Sequence, residues 1–447
     1  MAEFVKGKCI DYTHDGRGVV KINKMPIFVP DLIIGEEAEI AIMKKEKSYS
    51  LGKKVRILNE SPNRVKPICP VYYQCGGCQL QHMNYPEQLK MKQSRLEQAL
   101  RRLGGINPVM LPIIGMEDPY FYRNKVQVPF GVSDKNEIIA GFFRRGTHEI
   151  IDTKKCFIEN EESDDIILFL KTVFKKYDVE TYNIDEDKGS IRTVLIKKAY
   201  ATSQIMVVLI TRTTTLAHSN EIIRDLTLKY PNVKTVIHNV NNIRTTKMLG
   251  TIENVLYGPG FIEDILMNTK FRISAQSFYQ INPTQTTHLY GKAIEFADFK
   301  GNETVLDTYC GIGTIALIMA SKVKEVVGVD IIERAIEDAR SNSKLNNIKN
   351  VSFVTEDVNT YIGKVVENKQ TFDVVMVDPP RDGLDQRLIN GLLTMKPKKI
   401  VYISCEPSSL ARDLKQLSRY YNVVKSQAVD MFPQTYHVES VNLLILK

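Results

Sequence analysis

Two sets of cysteines could do chemistry in this sequence. Cys405 stands alone in YISCEPSSLARDL, residues 402–414, where Tyr402 and Ile403 read as the end of a buried strand. Pro407 and the Leu410/Leu414 spacing then read as the start of a helix. A thiol at that corner either fills a small apolar space or attacks an electrophile. Attack requires thiolate, and a free thiol with a pKa of ~8.5 is little ionised at neutral pH. The site is therefore expected to lower that value, with the helix start as one means. The second set is Cys69, Cys75 and Cys78 in CPVYYQCGGCQLQH, a C-x5-C-x2-C pattern around a Gly-Gly turn, with Cys156 in DTKKCFIEN as a fourth candidate. Four thiolates suit tetrahedral zinc or a cubane iron–sulfur cluster. His82, four residues past Cys78, keeps a Cys3His zinc site open. The C-x3-C-x2-C of radical enzymes is absent. Cys9 and Cys310 read as small filler.

The elements that must position Cys405 begin near residue 271. Apolar runs in TVLDTY, KEVVGVDI, VSFVTED, FDVVMVDPP and KKIVYISC alternate with helical stretches such as ERAIEDARSNSKLNN. That alternation predicts a doubly wound parallel sheet, to which KSQAVDMF and VESVNLLILK add an antiparallel pair. The first strand ends at Asp307–Thr308, and Cys310-Gly311-Ile312-Gly313 turns tightly into a helix, so a nucleotide-like ligand can approach the backbone. The second strand ends at Asp330, where an acid can bond the ribose hydroxyls of an adenosine. A dinucleotide dehydrogenase is the first competitor. Against it, the loop lacks a third glycine and the fourth strand ends in Asp378-Pro379-Pro380-Arg381, which favours S-adenosylmethionine. A methyl donor beside a cysteine points to carbon 5 of a pyrimidine, which is too poor a nucleophile to take a methyl group directly. Thiolate addition at carbon 6 moves electron density to carbon 5, and a base must later remove the carbon 5 proton. Glu439 in MFPQTYHVESVNLL is the candidate base, with His437 as its competitor.

The 447 residues predict two or three domains. Residues 1–58, with a DG turn and short punctuated strands, predict a small OB-like β-barrel. NESPNRVKPICP reads as a linker, and 59–270 as a central mixed α/β region. Its clearest helix lies in NYPEQLKMKQSRLEQALRRLGG, with Asn84 as cap, Gly104 as exit, and Leu89, Leu96, Leu100 and Leu103 on one face. Residues 271–447 form the third, Rossmann-like part, so the fold class is α/β. With 43% hydrophobic and 25% charged residues, this is the composition of a soluble protein. The absence of a signal peptide or apolar span predicts a cytoplasmic one. Seven cysteines, an odd number, argue against a disulfide framework. The net charge of +8 and the clusters KKEKSYSLGKK, LRRLGG, YRNK and FFRRGTH, with nearby aromatics, suit unpaired RNA. Arg123, Lys125, Arg144 and Arg145 are candidate RNA contacts.

SAQSFYQIN, LDTYCGIGT, VDPPRDG, SCEP and DMFPQTYHVESV together resemble the RNA uracil-5 methyltransferases that use S-adenosylmethionine, and the resemblance covers essentially the whole chain. It implies that Cys405 is the nucleophile and Glu439 the proton acceptor. It also implies that Gln280, Tyr309, Asp330 and Asp378 contact S-adenosylmethionine. By the same resemblance the N-terminal module is a TRAM domain, and Cys69, Cys75, Cys78 and Cys156 ligate a [4Fe-4S] cluster. The family usually has Asn where this chain has Glu406, and Glu where it has Asp330. A second carboxylate facing Cys405 would raise the thiol's pKa, so Glu406 is expected to point away. The tRNA enzymes of the family are expected to be shorter and to lack both barrel and cluster, which directs this chain, as a monomer, to an opened uridine of 23S rRNA. The rivals are a tRNA uracil-5 enzyme, an RNA cytosine-5 enzyme and a non-catalytic cluster-bearing RNA-binding protein.

Overall fold

The structure is a computed structural model that describes residues 3–184, 186–243, 245 and 247–447. The first five strands, β1 (Phe4–Tyr12), β2 (Gly18–Ile22), β3 (Met25–Val29), β4 (Glu37–Lys45) and β5 (Ser50–Asn59), close into a barrel of order β1-β2-β3-β5-β4. Its core is small, made of Cys9, Val20, Ile27, Val29, Leu32, Ala38 and Ile40. Cys9 is thus the filler expected of it.

The chain next forms α1 (Tyr85–Ala99) and β6 (Val109–Ile114). A seven-stranded sheet follows, built from β7 (Lys125–Val132), β8 (Ile138–Phe143), β9 (Ile150–Asp152), β10 (Ile191–Lys198), β11 (Ile205–Thr211), β12 (Val233–Val240) and β13 (Ile252–Tyr257). Helices α2 (Glu161–Lys176) and α3 (Ser219–Lys229) cover one face of it. The hairpin β14 (Ile262–Leu266) and β15 (Thr269–Ile273) joins the other face to the C-terminal core.

An eight-stranded sheet completes the fold: β16 (Thr304–Thr308), β17 (Glu325–Asp330), β18 (Val351–Thr355), β19 (Val374–Val377), β20 (Lys399–Ser404), β21 (Tyr421–Val429) and β22 (Glu439–Leu446), with β6 as an edge. The order is β18-β17-β16-β19-β20-β22-β21-β6, in which β16 to β20 are parallel and β22 runs antiparallel to both neighbours. Adjacent residues enter different cores, as buried parallel strands require. Val305 packs with α4 (Pro283–Ala297), α5 (Thr314–Met319) and α6 (Glu333–Leu345). Leu306 packs with α7 (Val358–Glu367), α8 (Gln386–Met395) and α9 (Pro407–Leu417). No helix among the described residues is long and apolar enough to cross a membrane.

The segment 59–270 therefore contributes to the seven-stranded sheet, to the β14–β15 hairpin and, because β6 pairs in parallel with β21, to the eight-stranded sheet. Its helix α1 starts as expected, with the Asn84 side chain accepting from the Glu87 amide, but exits at Gly105, φ +65°, after a π-turn. Its buried face also differs from the leucine stripe: Leu103 is exposed, while Gln88 and Lys92 are buried. Lys92 Nζ pairs with Asp430 Oδ1 at 2.5 Å and donates to the Phe432 carbonyl at 3.0 Å, with both partners of the ion pair fully enclosed. Removing one member of such a pair leaves an uncompensated buried charge, a loss of about 3–5 kcal/mol. Lys92→Met is expected to lower stability by that amount in urea unfolding.

Candidate active site

The register of the last strands brings the two expected catalytic residues together. Ser404 of β20 pairs with Ser440 of β22, so Cys405 and Glu439 leave the ladder side by side at the same end of the sheet. Val377 pairs with Tyr402 and with Thr308, which carries Asp378 and Tyr309 to that same edge. A cavity of about 400 Å³ opens there, lined by Gln280, Tyr309, Asp378, Cys405, His437 and Glu439 among others. Carboxyl ends of parallel strands are where such folds bind ligands.

The glycine turn forms the cavity's far wall. At Gly311, φ is +54° and an added Cβ would meet no atom, so the backbone there is open to a ligand. At Gly313 a Cβ would meet the Phe353 ring at 2.7 Å, so this glycine serves helix–sheet packing instead. Tyr309 takes φ +59°, a left-handed conformation that is strained for a residue with a side chain and that clusters at functional sites. Asp307 is buried in the same wall, and its Oδ2 has no hydrogen-bond partner among the described residues. An open backbone approach beside an unpartnered buried acceptor suits a polar ligand such as S-adenosylmethionine. Asp330 accepts from the Gly311 amide through Oδ2 and from the Ile332 amide through Oδ1, both at 2.9 Å. It braces the turn rather than lining the cavity, although a carboxylate bonded once at each oxygen keeps further acceptor capacity.

Electrostatics overturn one expectation. The Cys405 thiol is pushed up, not down, to about 12 by burial and then by Glu439 and Asp378. Arg381, which sequence reasoning left without a role, is the cation that opposes them. Burial raises Asp378 to about 7, and burial plus Asp378 raises Glu439 to about 8. His437 goes the other way, to about 4, through burial and the cations Arg381, Arg95 and Lys92. At neutral pH it is an uncharged ring beside Tyr436, whereas Glu439 is a carboxyl group poised to exchange a proton. Glu406 turns away as expected: both its oxygens accept from Arg95 Nη2 at 2.9 Å, and its Oε1 caps α9 at the Ser408 amide.

Cys69, Cys75, Cys78 and Cys156, the expected cluster ligands, line a single separate cavity with Arg123 and Glu159. The Gly77 amide donates to Cys75 Sγ at 3.3 Å, and burial raises the pKa of all four thiols. A donor of that kind, or a bound cation, stabilises the thiolate, which is the ligand form. No three His, Cys, Asp or Glu side chains among the described residues converge as a single-ion site. His82 is absent from this cavity: its Nδ1 meets the Tyr72 hydroxyl at 2.7 Å and burial holds its pKa well down. The Cys3His expectation therefore fails. Arg145 is not a free RNA contact either, because it donates to the carbonyls of Tyr72, Cys75 and Cys78 and so clamps the cysteine loop. Arg144 pairs with Glu149, Arg123 faces the cysteines, and Lys125 is half-buried at the start of β7.

Because ionised Glu439 disfavours the Cys405 thiolate, Glu439→Gln is expected to move the pH midpoint of Cys405 alkylation downward. Iodoacetamide labelling across pH 7–11, with Cys405→Ala as background, checks this: the variant should label faster than wild type at each pH on the rising limb.

Comparison with known proteins places the chain. Residues 261–447 match the family model described as tRNA (Uracil-5-)-methyltransferase. A Bacillus cereus RNA methyltransferase is 45% identical over 444 residues, 99% of this chain and 96% of its own. A Clostridium tetani RNA methyltransferase is 46% identical over 430 residues, 96% of this chain and 93% of its own. Among solved structures, the Pyrococcus abyssi tRNA (uracil-54, C5)-methyltransferase in complex with S-adenosyl-L-homocysteine superposes with a TM-score of 0.79 at 30% identity, covering 98% of this chain and 99% of that one. This last match corrects the expectation that tRNA enzymes of the family are shorter, since a tRNA enzyme spans nearly the whole chain, barrel included. With this site and these relatives, the chain belongs to the RNA (uracil-5-)-methyltransferases and is an S-adenosylmethionine-dependent enzyme.

Proposed function

We propose that the enzyme methylates carbon 5 of a uridine in 23S rRNA, with Cys405 as nucleophile and Glu439 as base. The observation that supports this most is their position side by side in one cavity with the glycine turn and the Asp378-Pro379-Pro380 corner. Cys405 Sγ adds to carbon 6 of the ring, breaking the C5–C6 π bond and leaving an enolate with its electron density on carbon 5. S-adenosylmethionine, held by Gln280, Tyr309, Asp330 and Asp378, supplies when bound an electrophilic methyl group and a positive charge. Carbon 5 would take that methyl, a C5–CH3 bond forming as the sulfonium–methyl bond breaks and S-adenosyl-L-homocysteine departs; Glu439 then takes the proton from carbon 5, the C5–C6 double bond reforms and the thiolate leaves. A carboxylate with its pKa raised to about 8 is a stronger proton acceptor than an ordinary one, and turnover should rise with pH as it ionises.

The barrel order β1-β2-β3-β5-β4, with β3 parallel to β5, supports an OB-like, TRAM-type RNA-binding module over residues 1–58. We keep the division into 1–58, 59–270 and 271–447, although its boundaries fall within β5 and β15 and α1 and β6 pack on the catalytic part. A tRNA substrate is the second reading, favoured by the full-length match to the Pyrococcus abyssi enzyme. The barrel does not separate the two substrates, so both belong in the test.

With 23S rRNA fragments and tRNA transcripts containing 5-fluorouridine, plus S-adenosylmethionine, the fluorine cannot leave as a proton and the adduct should persist through denaturation. A complex on rRNA that Cys405→Ala abolishes is the expected result. A complex on tRNA alone replaces the substrate, and none on either refutes the mechanism. Glu439→Gln should accumulate the same adduct on ordinary uridine.

We further propose that Cys69, Cys75, Cys78 and Cys156 hold a [4Fe-4S] cluster, supported by their lining one cavity together. Anaerobically purified protein should show bound iron, acid-labile sulfide and a broad visible absorption. Cys78→Ser should lose all three.

A further inference from the structure

If Cys405 and Glu439 carry the reaction as proposed, their separation must be fixed although they stand on different strands and are followed or preceded by loops. The geometry points to Arg95 as a positioning residue, whose single guanidinium ties the turn bearing Cys405 to the loop leading into Glu439. Its side chain on α1 is only 9% exposed. Nη2 donates to both oxygens of Glu406, the residue after the nucleophile, at 2.9 Å each. Nη1 donates to the Tyr436 carbonyl at 2.9 Å, three residues before Glu439. The guanidinium carbon also lies 5.8 Å from the Tyr436 ring centroid, and that ring lies 4.2 Å from His437. Charge-assisted bonds from a rigid fork to two segments fix both in one register.

The pair is reciprocal. Glu406 caps α9, accepting from the Ser408 amide at 3.3 Å and its hydroxyl at 2.8 Å, so its carboxylate is held where Arg95 can reach it. An uncharged cap would need no cation there. A carboxylate does, because the groups facing Cys405 already include Asp378 and Glu439 against Arg381 alone, with Tyr309 and His437 completing the wall. Arg95 keeps Glu406 from acting as a third negative charge on the thiol. Arg95 also borders a groove of about 510 Å³ between Tyr12–His14 of the barrel and α1, so a direct RNA contact is the alternative that must be told apart.

The test uses Arg95→Met, Arg95→Lys, Glu406→Gln and the double variant Arg95→Met/Glu406→Gln in the full-length enzyme. Steady-state kinetics on the RNA substrate are paired with the pH dependence of Cys405 alkylation without RNA. Arg95→Met should lose ~100-fold in kcat with KM unchanged, the scale of an ångström-sized misplacement, and its alkylation should move to higher pH. Arg95→Lys should recover part of kcat. Glu406→Gln should move alkylation to lower pH, and the double variant should return the alkylation profile toward wild type while kcat stays low. A loss confined to KM makes Arg95 an RNA contact and overturns the proposal. So does an alkylation profile unmoved by Arg95→Met, or one shifted the same way by Glu406→Gln. Should Arg95→Met not fold, Arg95→Lys and Glu406→Gln carry the same two readouts. Because alkylation needs no RNA, a wrong substrate or reaction would leave that arm intact.

Discussion

A buried ion pair, Lys92 with Asp430, holds the loop from which the candidate base emerges. Two charges removed from water are tolerated only where other polar groups complete their shells. Here the Tyr85 hydroxyl donates to Asp430 Oδ2 at 2.9 Å, the Phe432 amide donates to Oδ1 at 3.2 Å, and Lys92 donates again to the Phe432 carbonyl. Gln88, one turn earlier, exchanges two bonds of 3.0 Å with Gln434. Tyr85, Gln88, Lys92 and Arg95 follow a spacing of three, four and three, so α1 presents one polar stripe to a single loop. That loop contains Gln434 at φ +70°, a conformation that needs such external support. The helix thus acts as a template on which an irregular segment is folded.

The cavity that results is short of positive charge. Asp307, Asp378 and Glu439 all have raised pKa values, chiefly because burial penalises their ionised forms. Cys405 follows them upward for the same reason. Wherever several acids are desolvated together, a cation entering among them lowers all their pKa values at once. A positively charged methyl donor is such a cation, so the acids that raise the thiol's pKa in the protein alone would favour ligand binding and thiol ionisation together. The helix start after Pro407 does not lower the thiol's pKa by itself, because a dipole acting on a thiol is a smaller effect than the loss of water around it.

Much of the C-terminal part was legible in the sequence, for reasons of period. Parallel strands buried on both faces read as continuous apolar runs, and KIVYIS, VVMV and EVVGVD are where they were expected. The corner at Cys405 and the antiparallel β21–β22 pair were equally visible. The polar stripe of α1 was not, since residues such as Gln88 and Lys92 count as solvent-facing in any apolar pattern. The pairing of β6 with β21, more than three hundred residues apart in sequence, is set by tertiary contact alone. Arg145 misled for a related reason: an arginine that satisfies three loop carbonyls looks, in sequence, like one that awaits a phosphate.

The cysteine loop is joined to the catalytic loop by a short chain of bonds, which bears on why a cluster would be there at all. Asp31 of the barrel accepts from the Tyr72 hydroxyl at 3.1 Å and from Arg145 at 3.4 Å, and Arg145 grips the cysteine loop from Tyr72 to Cys78. The amides of Gln79 and Leu80, the next two residues, both donate to the Gln434 carbonyl at 3.0 Å. Barrel, cysteine loop and catalytic loop are therefore linked in that order, with α1 behind the last of them. The cysteine segment, without regular secondary structure, relies on side chains for its shape, and four thiols drawn onto one rigid centre would supply what a hydrogen-bond ladder supplies elsewhere. A cluster held there as proposed would fix the backbone on which Gln434, and through it the approach to Glu439, is held.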